Sequence, residues 1–205
     1  MSKNQQKLFV TGIGTEVGKT IISAILVEAL QADYWKPIQA GLEDVTDRQN
    51  VTQLAPSHGT VFTEAYRLKT PMSPDAAAAR ENVKIELENI VLPATKNHLI
   101  VEGAGGLLVP LNEDKTILDL IQKLELSVVL VSRHYLGSIN HTLLSIEALK
   151  ARKIETELLV FIGNHPETEA SILKHSGIEK YIIIPEVEVV DVDFVKKQAV
   201  RISFN

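Results

Sequence analysis

A short glycine-rich segment near the N-terminus has the residue types that bind phosphate groups. Residues 11–20 read Thr-Gly-Ile-Gly-Thr-Glu-Val-Gly-Lys-Thr and lie between an apolar run and a stretch with helical periodicity. Glycines let backbone N–H groups curl around phosphate oxygens, and the start of the following helix adds partial positive charge. In such loops the lysine, here Lys19, reaches the β- and γ-phosphates, and the hydroxyl of Thr20 binds Mg²⁺. The segment therefore predicts a nucleoside triphosphate site.

This loop departs from the usual phosphate-loop pattern at two positions. A glycine is expected five residues before Gly18, but Ile13 stands there between Gly12 and Gly14. We therefore expect a variant loop, slightly longer when counted from Gly12. Glu16 places a carboxylate beside an anionic ligand, so its side chain should point away from the phosphates or neutralise a cation. An incidental glycine-rich turn is the alternative interpretation.

Three charged residues further along the chain could complete a phosphoryl-transfer site. Glu102 ends the apolar run of residues 98–102, where an acid in a parallel sheet holds Mg²⁺ or its waters; a strand ending in a glycine turn is the alternative. Asp47 either caps a short helix or serves as a third metal ligand beside Thr20 and Glu102. Lys36 ends a second short strand, where it either faces the phosphate site or is simply solvated.

The elements that must position these residues are short apolar strands alternating with amphipathic helices. Strands are predicted over residues 7–11, 34–36, 98–102, 128–131, 157–162 and 181–184, and helices over residues 20–31, 117–124, 138–152 and 166–175. This alternation is typical of a parallel sheet covered on both faces, with ligands at the carboxyl ends of its strands. We expect an α/β fold, a P-loop NTPase-like parallel sheet forming a single domain over residues 1–205. Residues 41–74 are the least regular stretch, and the chain after Pro185 is weakly patterned.

The composition excludes several classes of protein. The chain has 205 residues, 45% hydrophobic and 23% charged, and its lack of cysteine rules out a disulfide scaffold, a thiolate zinc site and a cysteine nucleophile. With 21 basic and 26 acidic residues the net charge is −5, and only 5% are aromatic, so we expect no nucleic-acid partner. Residues 1–7 do not resemble a signal peptide, and apolar runs such as 127–132 are far shorter than the about 20 residues of a membrane span. We therefore expect a cytoplasmic protein without a membrane partner.

Four segments in a fixed order carry a resemblance that extends from Phe9 to about Pro185. They are Thr-Gly with Thr-Glu-Val-Gly-Lys-Thr within residues 11–20, Lys-Pro followed by Gly at 36–41, Val-Glu-Gly-Ala-Gly-Gly at 101–106 and Leu-Gly-Ser-Ile-Asn-His at 136–141. Together they resemble the ATP-dependent dethiobiotin synthetase family, whose members carry the longer loop with its glutamate.

The resemblance implies a reaction of biotin biosynthesis. ATP, 7,8-diaminopelargonate and CO₂ would yield dethiobiotin, ADP and phosphate through a carbamate and a carbamic-phosphoric anhydride, on which the second amine closes the ureido ring. Phosphoryl transfer to a carbamate needs positioning and charge neutralisation more than an enzyme nucleophile. Lys19, Lys36 and Mg²⁺ can supply that charge. The family also implies a homodimer with the substrate site at its interface.

Roles for individual residues follow from the same resemblance. The implied catalytic residues are Lys36, Lys19 and Thr15, and the implied metal ligands are Thr20, Asp47 and Glu102. The implied ATP-binding residues are Glu16, Val17, Gly18, Lys19, Thr20, Ile21, Asp47, Glu102, Gly103, Ala104, Gly105, Asn164, Pro185, Glu186 and Val187. The implied substrate-binding residues are Ala40, Gly105, Ser138 and Asn140, the last two from the partner subunit. Ser138 also reads as the N-cap of a helix. The chain departs from the family at Ala40, where Ser or Thr is usual, and at Asp75, where His is common.

Other classes of phosphate-loop protein are the alternatives. Another P-loop amide ligase or cyclo-ligase, such as the synthetase domain of cobyrinate-type amidotransferases, needs a fused glutaminase domain with a nucleophilic cysteine, which is missing here. A partitioning ATPase carries a second lysine where this chain has Gly14. A GTP switch carries Asn-Lys-x-Asp, whereas Asn164 is followed by His-Pro-Glu. A degenerate binder is disfavoured by the intact lysines and acids of the predicted site.

Overall fold

The computed structural model describes residues 5–43, 45–57, 59–202 and 204. The strands in these ranges are β1 (Lys7–Gly12), β2 (Asp33–Trp35), β3 (Ile38–Ala40), β4 (Tyr66–Leu68), β5 (Leu99–Gly106), β6 (Ser127–Arg133), β7 (Thr156–Ile162) and β8 (Tyr181–Ile184). The helices are α1 (Lys19–Leu30), α2 (Asp47–Leu54), α3 (Pro74–Arg80), α4 (Ile117–Leu124), α5 (Ser138–Ala151), α6 (Pro166–Ser176) and α7 (Val192–Ala199), with a 3₁₀ turn at Leu87–Asn89.

Six of these strands form one sheet in the order β2-β5-β1-β6-β7-β8, and every neighbouring pair is parallel. Successive side chains of a strand point to opposite faces, so the sheet separates two apolar layers. Leu8 and Val10 of β1 pack in the layer that contains residues of α1, α2 and α7. Phe9 packs in the other layer, which contains residues of α3, α4, α5 and α6. The predicted parallel sheet covered on both faces is therefore confirmed.

The structure contains elements that the sequence pattern did not indicate, together with the short helix α2, which was expected only as the alternative role for Asp47. The irregular stretch contains α2 and β4, which pairs with β3 in a separate two-stranded sheet, and α3 begins at its end. The weakly patterned tail contains α7, whose N-cap Asp191 accepts a hydrogen bond from the backbone N–H of Phe194 at 2.8 Å. These elements are three to eight residues long, which leaves too few turns or alternations to give a periodic signal.

The strand predicted to end at Glu102 continues to Gly106, so Glu102 lies inside β5 rather than at its end. The small residues that follow Glu102 allow this continuation beside β1. A Cβ atom on Gly103 would lie only 2.7 Å from Cε1 of Phe9, and Gly106 still pairs with Gly12 after a shift of register. Over the described ranges, no helix combines the length and the apolar character that crossing a membrane requires.

Candidate active site

The glycine-rich loop joins the end of β1 to α1, as its motif predicts. Gly18 is the N-cap of α1 with a left-handed backbone, φ +90°, and a Cβ atom there would lie 2.4 Å from Cδ1 of Ile162. The left-handed backbone therefore favours glycine at this position, and a larger residue would also have to displace the end of the Ile162 side chain. Glu16 also has a left-handed backbone, φ 56°, and is exposed, and Nη1 of Arg133 lies 3.5 Å from its carbonyl oxygen.

Lys19 lies almost buried at the start of α1, and its Nζ donates a hydrogen bond to the carbonyl oxygen of Gly14 at 2.9 Å. The pKa of Lys19 is lowered to about 8, first by burial and second by the nearby charge of Lys36, against the opposite effects of Glu102 and Asp47. The loop thus holds an ammonium group whose charge the protein compensates only in part. A phosphate anion would favour its protonated form.

Three side-chain oxygens converge beside Lys19. Oγ1 of Thr20 lies 2.5 Å from Oδ1 of Asp47 and 2.9 Å from Oε1 of Glu102. One hydroxyl and two carboxylates are the hard oxygen donors that Mg²⁺ prefers, and their convergence fits such an ion. Within the described residues, no three His, Cys, Asp or Glu side chains are grouped to hold a metal. The protein therefore offers a partial ligand set, which suits an ion that also binds phosphate oxygens and water.

The start of α2 excludes one of the two roles that the sequence context of Asp47 left open. The N-cap of α2 is Thr46, whose hydroxyl accepts from the backbone N–H of Gln49 at 3.4 Å, while Oε1 of Gln49 accepts from the backbone N–H of Thr46 at 2.8 Å. The interpretation of Asp47 as the cap is therefore wrong. This reciprocal capping box fixes the start of the helix and leaves the Asp47 carboxylate free to face Thr20.

Lys36 lies directly after β2 and is buried, so the interpretation of a solvated lysine is wrong. Its Nζ lies 3.0 Å from Oδ2 of Asp47 and 3.1 Å from Oε1 of Glu102, and 3.3 Å from the carbonyl oxygen of Gly103. Burial alone would lower the pKa of Lys36, but the charges of Glu102 and Asp47 outweigh burial and raise it. For Asp47, burial alone would raise the pKa, but the charge of Lys36 and the hydrogen bond from Thr20 outweigh burial and lower it. Lys36 and Asp47 are therefore both ionised at neutral pH.

Sequence reasoning missed one member of this cluster, Tyr34 of β2. Its side chain is fully buried, and its hydroxyl donates to Oε2 of Glu102 at 2.9 Å. Burial raises the pKa of Tyr34 well above its ordinary value, and the charges of Glu102 and Asp47 add to this effect, so the phenol stays neutral. The available signal was the alternation of side chains along a strand. Tyr34 pairs with Ile100 of β5, and Glu102, two residues after Ile100, points to the same face of the sheet as Tyr34.

These groups line a cavity of about 740 Å³ at the carboxyl end of the sheet, which we call the phosphate-loop pocket. The predicted residues that line it are Thr15, Glu16, Gly18, Lys19, Thr20, Ile21, Lys36, Ala40, Asp47, Glu102, Ala104 and Gly105. Residues that the sequence did not indicate complete the wall: Ile38, Gln39, Pro71, Met72, Ser73, Pro74 and Val109. Thus the segment that leads into α3 closes a pocket whose other walls come from the phosphate loop and α1, from Lys36 and β3, from α2 and from the end of β5.

A second, smaller cavity of about 180 Å³ lies on the other side of the loop, and we call it the β8 groove. Its lining residues are Glu16, Val17, Gly18, Ile21, Arg133, Ile162, Ile184, Pro185, Glu186, Val187, Val190 and Phe194. Arg133 and Glu186 form an ion pair beside it. Among the predicted ATP-binding residues that follow β7, Pro185, Glu186 and Val187 line this groove, whereas Asn164 is exposed and is not among the lining residues.

The two residues predicted to act from a partner subunit lie at the start of α5. The N-cap of this helix is Gly137, with φ +104°, so the prediction of Ser138 as the cap is wrong by one position. Ser138 is buried and Asn140 is exposed. Neither lines the phosphate-loop pocket of its own chain.

The parallel sheet with a phosphate loop between its first strand and first helix defines the chain as a P-loop nucleoside triphosphatase in fold. A solved ParA family ATPase from Chlorobium tepidum superimposes with a TM-score of 0.57 over 97% of this chain and 99% of that chain, at 12% identity. A family model described as an AAA domain matches residues 6–192.

Curated relatives narrow this class to one family. The ATP-dependent dethiobiotin synthetase BioD of Christiangramia forsetii is 53% identical over 193 residues, which is 93% of each chain. The enzyme of the same name from Cytophaga hutchinsonii is 48% identical over 202 residues, which is 98% of each chain. The chain belongs to the ATP-dependent dethiobiotin synthetase family.

Proposed function

We propose that this protein closes the ureido ring of dethiobiotin from 7,8-diaminopelargonate, CO₂ and ATP. The observation that supports this most directly is the buried Lys36 ammonium, which lies between Asp47 and Glu102 within the pocket of the phosphate loop. A buried cation beside the site of a γ-phosphate is suited to hold an anionic acceptor for phosphoryl transfer. A carbamate formed from a substrate amine and CO₂ is such an acceptor.

In this proposal the protein positions the substrates and neutralises their charges. A carbamate oxygen attacks the γ-phosphorus, the bond to ADP breaks, and a carbamic-phosphoric anhydride forms. The second substrate amine then attacks the carbamate carbon, the ring closes and phosphate leaves. Lys36 and Lys19 stabilise the negative charge on the transferring group, and we assign Thr15, an exposed loop residue that lines the pocket, to the carbamate side.

We propose that Thr20, Asp47 and Glu102 hold Mg²⁺ together with the phosphates of the nucleotide. Their three converging oxygens support this assignment. Bound Mg²⁺ neutralises charge on the β- and γ-phosphate oxygens during phosphoryl transfer. The loop from Glu16 to Ile21 and the backbone of Gly103, Ala104 and Gly105 would contact the phosphates and ribose side of ATP.

We assign the β8 groove to the adenine ring, with Pro185, Glu186 and Val187 along it, and we assign the exposed Asn164 as a further contact of the base. The groove begins at the phosphate loop, since Glu16, Gly18 and Ile21 line both cavities. This continuity allows one nucleotide to span from the phosphate-loop pocket to the base site.

We propose that a second copy of the chain completes the substrate site. The turn after β5 and the start of α5 expose the large apolar side chains of Leu108, Leu136 and Leu144. Exposed apolar groups of this kind mark interaction surfaces. The adjoining cavity of about 410 Å³ shares Thr15 and Val109 with the phosphate-loop pocket, so a chain seated there would reach the substrate. In the dimer, Ser138 and Asn140 of one chain would bind the substrate carboxylate in the other, while Ala40 and Gly105 contact the diamine.

A charge in this apolar surface tests the dimer. We expect the native protein to sediment as a dimer and Leu136→Glu to sediment as a monomer with a raised KM for the diamine. A native monomer with full activity would contradict the proposal.

The remaining parts of the proposal are that residues 1–205 act as one domain and that the protein works in the cytoplasm.

The reaction itself is tested by phosphate release from purified protein. With ATP, Mg²⁺ and bicarbonate, release should depend on 7,8-diaminopelargonate and should fall when a monoamine of the same length replaces it, since a monoamine cannot close the ring. Phosphate release that is indifferent to the diamine would exclude ring closure and favour a nucleotide switch.

A further inference from the structure

The two oxygens of the Glu102 carboxylate have different partners. Oε1 faces Thr20 at 2.9 Å and Lys36 at 3.1 Å, on the side of the phosphate-loop pocket. Oε2 accepts from the hydroxyl of Tyr34 at 2.9 Å. Glu102 is only 1% exposed, so water does not compete for either oxygen. The carboxylate therefore presents a single oxygen to the pocket.

The hydroxyl that holds Oε2 belongs to a side chain with little freedom to move. The backbone of Tyr34 is bonded on both sides, through its pairing with Ile100 of β5 and through hydrogen bonds of 2.9 Å from its N–H to Thr60 and from Phe62 to its carbonyl oxygen. Its ring is fully buried in the apolar layer beneath α1. A rotation of Glu102 that turned both oxygens to the pocket would break this bond and leave the phenol without its acceptor.

From this geometry we infer that Tyr34 is a positioning residue that holds Glu102 in a one-oxygen presentation and so favours Mg²⁺ over Ca²⁺. Mg²⁺ requires a small, regular octahedron, to which a carboxylate contributes one oxygen, whereas the larger Ca²⁺ accepts both oxygens of a carboxylate in an irregular shell. Groups that orient a ligand from behind commonly contribute strongly to metal affinity. The inference rests on the metal site of the proposed function, but not on the identity of the acceptor substrate.

Removal of one oxygen atom tests this role. In Tyr34→Phe the carboxylate loses the donor on Oε2 and can turn both oxygens to a cation. Calorimetric titration of Mg²⁺ and of Ca²⁺ into the ADP-bound protein should show an about tenfold loss of Mg²⁺ affinity, within the range for such orienting groups, and a much smaller loss for Ca²⁺. A variant that keeps the Mg²⁺ affinity and the Mg²⁺-to-Ca²⁺ ratio of the native protein would overturn the inference, as would an equal loss for both ions.

Tyr66→Phe is the matched control, because it also removes a bonded phenol oxygen, but one that bonds to Glu86 rather than to Glu102. The hydroxyl of Tyr66 contacts the backbone of Glu86, at 3.0 Å from the N–H and 3.3 Å from the carbonyl oxygen. We expect its affinities for both ions to match those of the native protein. In a Glu102→Gln background, Tyr34→Phe should cause almost no further loss of Mg²⁺ affinity, since Tyr34 acts through Glu102. Full additivity of the two losses would contradict this.

A measurement on the native protein covers the case in which Tyr34→Phe does not fold. In a crystal structure with Mg²⁺ and ADP, we expect Oε2 of Glu102 to remain bonded to Tyr34 while only Oε1 faces the ion or its waters. A broken bond to Tyr34, or a carboxylate that binds the ion through both oxygens, would overturn the inference. Ion binding to the ADP complex is independent of ring closure, so failure here and failure of the proposed reaction are told apart.

Discussion

The phosphate-loop pocket and the β8 groove lie on two sides of the same loop but are built differently. In the pocket, the side chains of Lys36 and Glu102 are 6% and 1% exposed and bond to each other and to their neighbours. At the groove, the ion pair of Arg133 and Glu186 leaves these side chains 49% and 53% exposed, and the remaining wall is mostly apolar. Charges act strongly where water is excluded, whereas an exposed ion pair contributes at most about 1 kcal/mol. Under the proposed function, the chemistry therefore depends on the pocket, and we expect the groove to add only affinity.

Among the variants of the two cavities, Lys36→Ala should have the largest effect on turnover. We expect kcat for ring closure to fall by about 10²- to 10³-fold, as for loss of one preorganised charge in a site that excludes water. The substitution also leaves Asp47 and Glu102 without their ammonium partner, so thermal unfolding should be measured alongside turnover.

The matched control for this prediction is Lys84→Ala, which removes a lysine that is 79% exposed and paired only with Glu86. Its turnover should equal that of the native protein. If Lys36→Ala retains turnover within about tenfold of native, a barrier change of about 1.4 kcal/mol, Lys36 is not the catalytic cation.

Gly18 lines both the pocket and the groove, and Gly18→Ala tests whether its left-handed backbone is needed for stability and for nucleotide binding. A non-glycine residue in the left-handed conformation costs about 1–2 kcal/mol, and the new Cβ would also press on Ile162 at 2.4 Å. We expect a lower melting temperature and an about tenfold weaker binding of ADP, measured by calorimetry. Gly14→Ala is the control for stability, because a Cβ there meets nothing within 4 Å, and its melting temperature should stay unchanged. Equal melting temperatures for both variants would contradict the account of Gly18.

The lowered pKa of Lys19 predicts that nucleotide binding takes up a proton. The pKa of Lys19 is about 8 in the folded protein, below the ordinary 10.5 of the unfolded chain. Between these two pH values the unfolded chain binds more protons than the folded protein. Lys19 therefore makes the nucleotide-free protein more stable as the pH rises. Phosphate restores the ammonium form, so ADP binding at about pH 8.5 should take up a fraction of one proton, and less at about pH 7. Calorimetry in two buffers of different ionisation enthalpy measures this uptake; heats that do not depend on the buffer would contradict it.

Arg133→Ala, a variant of the β8 groove, should have the smallest effect on the kinetics of the enzyme. Since its ion pair with Glu186 is half exposed, we expect KM for ATP to rise by less than about fivefold while kcat stays unchanged. The effect should disappear at high salt, because exposed charges are screened. A loss of kcat comparable with that of Lys36→Ala would contradict the assignment of the chemistry to the phosphate-loop pocket alone.

Sequence alone predicted the parts of the fold and site that depend on local pattern. The strands β1, β6 and β7 each contain an unbroken apolar run, and the loop before Lys19 is a continuous motif, so both could be recognised. The contact between Tyr34 and Glu102 joins residues 68 positions apart and exists because β2 lies beside β5, an order that no local pattern encodes. The capping of α2 by Thr46 rather than Asp47, in contrast, had a local signal, because Thr46 and Gln49 have the spacing of a capping box and form its two reciprocal hydrogen bonds.

The central claim is that the buried cluster of the phosphate-loop pocket drives closure of a ureido ring. The most direct measurement supplies ¹³C-labelled bicarbonate, ATP, Mg²⁺ and 7,8-diaminopelargonate to the purified protein and analyses the product by mass spectrometry. We predict dethiobiotin that carries the label at its ureido carbonyl carbon, in amounts equal to the phosphate released. Phosphate release without labelled dethiobiotin would contradict the account.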